Sequence, residues 1–225
     1  MKKLFASLFA GALLLLSVPS HSQVLIGAGY LGSSDISVNA SGNSNTDKLN
    51  GFYVGAGYNY NIVGGLGVSA GLFGTYLAGK DNDTKGTAWV NATNTIRYVE
   101  FALNVPLYVS YKIEVGDLGI FAYAGPAFQY GLLSHSTATI TGNIGPISYG
   151  TDKPFVYDHY KGNPDYKLAA DQNPFNVYIS VGAGVQLGST IQLIFGYEHN
   201  LTNMTPLTDC KLSRSQFHVG VGVSL

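Results

Sequence analysis

The chain has 225 residues, the size of one domain, and nothing in its composition suggests a second core. Lys plus Arg number 12 against Asp plus Glu 13, so there is no long-range field to recruit nucleic acid or an acidic surface, and nucleic-acid binding is excluded. Only 11% of residues are charged, well under the roughly 25% usual for soluble domains, while glycine, tyrosine and phenylalanine are abundant; that balance suits a surface partly in contact with oil.

Lys2 and Lys3 form a positive start, residues 4–16 an apolar run, and Val18-Pro19-Ser20-His21-Ser22 places small residues ahead of Gln23. This is the pattern of a secretory signal peptide over residues 1–22, cleaved before Gln23. The run is too short for the roughly twenty apolar residues of a membrane helix and breaks at Pro19. No later segment approaches that length, so a mature part over residues 23–225 that lives in a membrane must cross it with strands. Cys210 is the only cysteine, which excludes an internal disulfide and a Cys-based metal site.

After Gln23 a period of two recurs eight times, the signature of strands with one apolar face. The first segment sets Val24, Ile26, Ala28 and Tyr30 against Gly27 and Gly29; the second sets Phe52, Val54, Ala56, Tyr58 and Tyr60 against Tyr53, Gly55, Gly57 and Asn59. In the third, Leu66, Val68, Ala70, Leu72 and Tyr76 alternate with Gly67, Ser69, Gly71 and Thr75. The fourth alternates Val99, Phe101, Leu103, Val105, Leu107 and Val109 with Glu100, Asn104 and Lys112. The fifth, near residues 120–132, is noisier, as expected where both faces are packed. The sixth sets Val177, Ile179, Val181, Ala183 and Val185 against Asn176, Ser180, Gly182, Gly184 and Gln186. The seventh sets Ile191, Leu193, Phe195 and Tyr197 against Gln192, Gly196 and Glu198, and the eighth Phe217, Val219, Val221, Val223 and Leu225 against Gln216, His218, Gly220, Gly222 and Ser224. The expectation is an all-β, eight-stranded antiparallel transmembrane up-and-down β-barrel.

The joins alternate in length. Residues 61–65, 114–117 and 188–190 are tight and rich in Gly, Asn or Asp, whereas residues 32–50, 78–94, 134–174 and 201–213 read as long loops. Outer-membrane barrels sort their connections this way, with short turns in the periplasm and long loops outside. Tyr60 and Tyr111 then fall near the periplasmic interface, and Tyr30, Phe52, Tyr76, Tyr130, Tyr197 and Phe217 near the outer one. Pro106 sits mid-strand, almost opposite Pro126 across a tight turn, and the two prolines should share one unpaired or bulged stretch.

Tyr98-Val99-Glu100-Phe101-Ala102-Leu103-Asn104-Val105-Pro106-Leu107, followed by Gly119-Ile120-Phe121-Ala122-Tyr123-Ala124-Gly125-Pro126, resembles the central signature of the small outer-membrane protein beta-barrel domain family. Gly182-Ala183-Gly184-Val185, Gly196-Tyr197 and Leu201-Thr202-Asn203 are similar to its sixth and seventh strands. The resemblance covers most of the mature chain and implies a barrel related in shape to the OmpA and OmpX type, in the outer membrane of a Gram-negative cell. It implies outer-membrane lipid and the barrel assembly machinery as partners and transfers no catalytic residue or cofactor. The chain departs from the usual pattern in ending on Leu225 where such barrels end on an aromatic residue.

Gly27-Ala28-Gly29-Tyr30-Leu31-Gly32 matches a dinucleotide-binding pattern, but no helical segment follows it, and Gly-x-Gly recurs at Gly55/Gly57, Gly182/Gly184 and Gly220/Gly222 on the inward face. Small inward residues make room for Tyr53, Phe73, Tyr123 and Tyr178, so the lumen is expected to be filled. Residues 81–86 imitate the start of a calcium loop, but Lys85 occupies a ligand position and no Glu follows at the right distance. Glu100, Glu198, Arg214 and His218 share inward parity near the outer strand ends. Buried charges pair, so Glu198 and Arg214 are the expected cross-strand partners with Glu100 facing them, either as a structural plug or as a site. In the longest loop, Tyr149, Phe155, Tyr157, Tyr160 and Tyr166 stand among charges, a composition of recognition surfaces or of a loop packing its own aromatics on the rim. The expected function is a non-enzymatic, monomeric barrel presenting outer loops to an extracellular ligand or surface partner, or serving envelope integrity. The alternatives are a small pore or hydrophobic-ligand conduit and a lipid A hydrolase; for the last, Glu198 points inward and His199 outward, against a base and its orienter working together.

Overall fold

The computed structural model describes residues 22–87, 90–144, 146–151, 153–163 and 166–225. The expected signal peptide lies outside them except for the backbone of Ser22. The alternating segments form β1 (Ser22–Val38), β2 (Ser44–Val63), β3 (Leu66–Gly86), β4 (Val90–Val115) and β5 (Leu118–Ile144), then β8 (Phe175–Leu187), β9 (Ile191–Asn200) and β10 (Lys211–Ser224); two short strands between them are β6 (Ile147–Gly150) and β7 (Phe155–Asp158). Each of the eight long strands pairs antiparallel with both neighbours, and β10 pairs with β1, so the sheet closes on itself. Closure gives each strand of the ring a neighbour on both sides, which a sheet in lipid requires.

One end carries the tight turns and both ends of the barrel chain; the other carries the long hairpins and loops. At the turn end, Gly64 and Gly65 both take positive φ (59° and 87°), as a two-residue hairpin turn whose twist matches its strands demands. Outward residues such as Ile26, Val54, Val109, Val181 and Val221 are exposed, while inward residues such as Leu25, Asn104, Ser180 and Gly220 are buried. An aromatic belt marks the loop-end edge of this apolar band: Tyr197 lies opposite Phe217, Tyr30 opposite Phe52, and Phe52 opposite Tyr76, with ring centroids 5.7 Å apart for Tyr30–Phe217 and 5.3 Å for Phe52–Tyr76.

Two departures from the sequence expectation have physical causes. Most of the first two expected long loops is paired strand: β1 and β2 run on to Val38 and Ser44, β3 and β4 to Gly86 and Val90. These extensions leave the apolar band, so their outward face has no lipid to match, and Thr, Asn, Ser and Ile alternate without a large apolar stripe. The noise in the fifth segment is a β-bulge: Phe101 lies opposite Leu133 and Ala102 opposite Gly131, so Leu132 is an extra residue and inward parity passes from Gln129 to Ser134. The ladders lapse at both prolines, as their missing N–H groups lead one to expect, but in two separate stretches: between Ala70↔Leu107 and Phe73↔Asn104 beside Pro106, and between Pro106↔Ala127 and Val109↔Ala124 beside Pro126.

Candidate functional site

Two inward carboxylates near the loop end converge on Arg214, which is completely buried. Register sets Asp35 of β1 directly opposite Arg214 of β10. Arg214 Nε and Nη2 donate to Asp35 Oδ1 and Oδ2 at 2.7 and 2.6 Å, and Nη1 donates to Glu100 Oε1 at 2.7 Å across the lumen. One planar guanidinium thus bridges two carboxylates from opposite sides of the barrel, bidentate on one. The Tyr98 hydroxyl donates to Glu100, and Ser33 Oγ donates to Asp35 Oδ1 at 3.0 Å. Leu31, Leu49 and Leu77 form a small buried apolar cluster with Tyr53 and Tyr98 packed against it.

The expected Glu198–Arg214 pair does not form. Gln216, two residues along β10, is the residue opposite Glu198, and β1 offers Arg214 a carboxylate at its own level. Glu198 instead accepts from Tyr108 Oη at 3.1 Å, with Gln216 Nε2 and Asn104 Nδ2 at 3.4 and 3.5 Å. His218 lies deeper still, its Nε2 2.8 Å from Tyr123 Oη. Asp35 is hidden in the sequence because the large apolar stripe of the first segment stops at Tyr30; the alternation itself continues through Leu31, Ser33 and Asp35 and places it inward.

Below the plug the lumen is not filled. A cavity of about 150 Å3, lined among others by Tyr53, Phe73, Tyr108, Tyr123, Glu198 and His218, extends to Gln23, Asn61 and Lys112 beside the tight turns. This corrects the expectation of a filled interior: the inward glycines are contacted by the large rings, but the rings lie along the wall. A Cβ on Gly220 would stand 2.1 Å from Tyr53 Oη, and one on Gly182 2.2 Å from the Tyr123 ring.

Above the plug the longest loop folds back over the mouth. Its short strand β7 pairs with the extension of β5, and His159, just beyond β7, sits with Nε2 2.7 Å from Ser136 Oγ and Nδ1 2.8 Å from Asp171 Oδ1. A neutral imidazole donating from Nδ1 and accepting from the Ser136 hydroxyl satisfies both contacts. Tyr98 and Tyr157 flank the ring, with centroids 5.3 and 5.0 Å away. The order Ser–His–Asp is that of a hydrolytic triad. However, Ser136 lies in a strand paired with β4 on one side and β7 on the other, which commits the backbone N–H groups that would have to form an oxyanion hole. The arrangement reads as a latch.

The five loop aromatics divide. Tyr157 donates to the Ala169 carbonyl, and Tyr160 lies against Gly131 inside the rim, so both are packing residues. Tyr149, Phe155 and Tyr166 are exposed, the last two in edge contact at 5.1 Å. Burial, with the carboxylates of Asp171 and Asp158, pushes the Tyr157 hydroxyl pKa up. The fourth loop joins the cover: Met204 is buried, its carbonyl accepts from Asn173 N at 2.6 Å, and Asn173 Nδ2 donates to Asn203 O at 3.1 Å. Residues 81–86 are extended strand, with Thr95 Oγ1 donating to Asn82 Oδ1 at 2.9 Å, not a metal loop. Among the described residues no three His, Cys, Asp or Glu side chains come together as a metal group. His199 points outward, 3.0 Å from Ser215 Oγ, on the face opposite to Glu198.

No curated protein sequence matches the chain. Among solved structures it is similar to Ail, the attachment invasion locus protein of Yersinia pestis, at 11% identity over 92% of this chain and 100% of that one, with a TM-score of 0.38. It is likewise similar to Neisserial surface protein A, at 12% identity over 91% and 97% of the two chains with a TM-score of 0.36. A third similar structure is the outer membrane protease OmpT from Escherichia coli, at 12% identity over 92% and 98% with a TM-score of 0.36. The family model for the outer membrane protein beta-barrel domain matches residues 8–224, nearly the whole sequence, and the chain therefore belongs to that family of the outer membrane.

Proposed function

We propose that this protein is a non-enzymatic barrel that closes its own lumen and holds a protein-recognition surface outside the cell. On this reading residues 1–22 are removed on export, the tight turns face the periplasm and the hairpins face out. The observation that carries it is an apolar sheet face beyond the membrane. Val90 lies opposite Ile144 and Ile144 opposite Ile147, and the three are 52%, 57% and 67% exposed. Ile144 stands eleven residues past Leu133, which pairs with Phe101 opposite the belt residue Tyr76, so it projects roughly 35 Å along the strand at about 3.3 Å per residue. Lipid cannot cover it there. Contiguous apolar surface in water marks an interaction site, and exposed Tyr149 extends it. Arg214 with its two carboxylates, and the two loops above them, favour this reading over a pore.

The test is adhesion of cells displaying the protein to protein-coated surfaces, compared with the Ile144→Asp/Ile147→Asp variant. The variant should fold with the same heat-modifiable mobility on gels and lose most of the adhesion. Adhesion unchanged by the double substitution would remove the recognition role.

A further inference from the structure

Glu198 is the lumen carboxylate that the plug leaves out. It is 3% exposed, and the polar side chains around it, Tyr108, Asn104, Gln216 and Ser180 opposite it on β8, are all neutral. Arg214 is committed to Asp35 and Glu100, and Lys112, nearer the turns, holds Glu114 at 2.7 Å. The amides that turn their N–H groups toward Glu198 leave Asn104 Oδ1 and Gln216 Oε1 buried with no donor from the protein. All three residues line the same cavity. Its unmet demand is therefore for donors and for positive charge, because a buried carboxylate without a counter-charge is costly.

The walls suit the same chemistry. Tyr108 and Tyr123 stack at 4.8 Å, and Tyr53 meets Phe73 edge-on at 5.9 Å, so aromatic rings surround the space that Glu198 borders. Aromatic faces attract cations, and an ammonium brings three donors and no acceptor. A neutral molecule would leave the carboxylate uncompensated, and an anion would be repelled. The volume of about 150 Å3 admits a ligand of only a few heavy atoms, entering from the turn end, where Gln23, Asn59 and Asn61 continue the lining. We infer that this chamber binds a small organic ammonium ion, with Glu198 as counter-ion, the amide oxygens of Asn104 and Gln216 as acceptors, and the tyrosines as the cage. The site is independent of the outer recognition face and lies on the opposite side of the plug.

Calorimetric titration of the folded full-length barrel in detergent micelles at pH 7, with tert-butylammonium chloride and with its neutral isostere tert-butanol, tests the inference. The ammonium should bind saturably and at least about tenfold more tightly than the alcohol, and Glu198→Gln should bring the two within about twofold. Glu114→Gln, at the turn end, should leave the preference intact. Equal affinities in the parent protein, binding of neither probe, or a preference that survives Glu198→Gln would overturn the assignment. If Glu198→Gln does not fold, the parent's own ratio between the two probes decides.

Discussion

Toward the tight turns the barrel interior is a chamber of rings and glycines in which one carboxylate lacks a cation; toward the loop end it is closed by Arg214 held between Asp35 and Glu100 and roofed by two loops. The strands that build both regions are the same, so the difference comes from what faces each side. Within the apolar band the outward face is fixed by lipid and the inward face is free to vary. Beyond the band both faces meet water or protein, and hydrogen bonding and ion pairing replace apolar burial as the organising force. Closure is thus concentrated in a few residues near the loop-end mouth, and substitutions there should be felt far more than those in the chamber.

The largest effect is expected from Arg214→Ala, which strands Asp35 and Glu100 without their cation inside the barrel. Removing one partner from a buried ionic network costs about 3–5 kcal/mol, so urea unfolding in micelles should shift by that order. The same variant should conduct ions in planar bilayers where the parent does not. A parent-like midpoint and a silent bilayer would show that closure rests on the loops alone. Arg214→Lys keeps the charge but not the bidentate fork, and an intermediate loss is expected.

A smaller effect is expected at the latch. His159→Ala removes the contacts with Ser136 and Asp171, each worth about 1 kcal/mol as an ordinary hydrogen bond, and should expose residues 159–171 to limited proteolysis without moving global unfolding much. Unchanged protease sensitivity would mean that Asn173 and Met204 hold the loop by themselves. A fluorophosphonate probe should leave Ser136 unlabelled; labelling abolished by His159→Ala would turn the latch into a nucleophile and overturn the non-enzymatic reading.

The sequence made the eight spans legible because lipid imposes a strict apolar alternation over about ten positions, as in Phe217, Val219, Val221 and Val223. It also placed Glu100, Glu198, Arg214 and His218 inward by parity alone. Their partners were not legible, because pairing depends on register between strands far apart in the chain: Asp35 and Arg214 are separated by 179 positions. The strand extensions were hidden for a related reason. In residues 91–96 and 137–141, Thr, Asn, Ala and Ile alternate without a lipid-facing stripe, so a reading keyed to large apolar residues takes them for loop. The bulge at Leu132 reverses parity once and makes a regular strand look irregular, and the chamber could not be foreseen because a glycine-rich inward face is compatible with rings that cross the lumen and with rings that lie along its wall.

The smallest effect sharpens the contrast by asking how strongly the loop end feels charge. Asp47 of β2 lies opposite Asp35, and burial, then the carboxylates of Asp35 and Asp81, raise its pKa above the ordinary aspartate value. A raised folded-state pKa means that the folded protein holds the proton more tightly than the unfolded chain. The resulting stabilisation is fully present below the unfolded pKa of about 3.9 and is lost as pH rises through the folded value. Asp47→Asn, which mimics the protonated form, should therefore be slightly more stable than the parent at pH 7, and the gap should close as pH falls below about 4. Asp47 is largely exposed, so solvent keeps this effect well below that of Arg214→Ala. Parallel unfolding titrations of the two proteins between neutral and acid pH measure the gap; one that stays constant with pH would show that the carboxylate of Asp47 does not sense the buried Asp35 across the β1–β2 ladder.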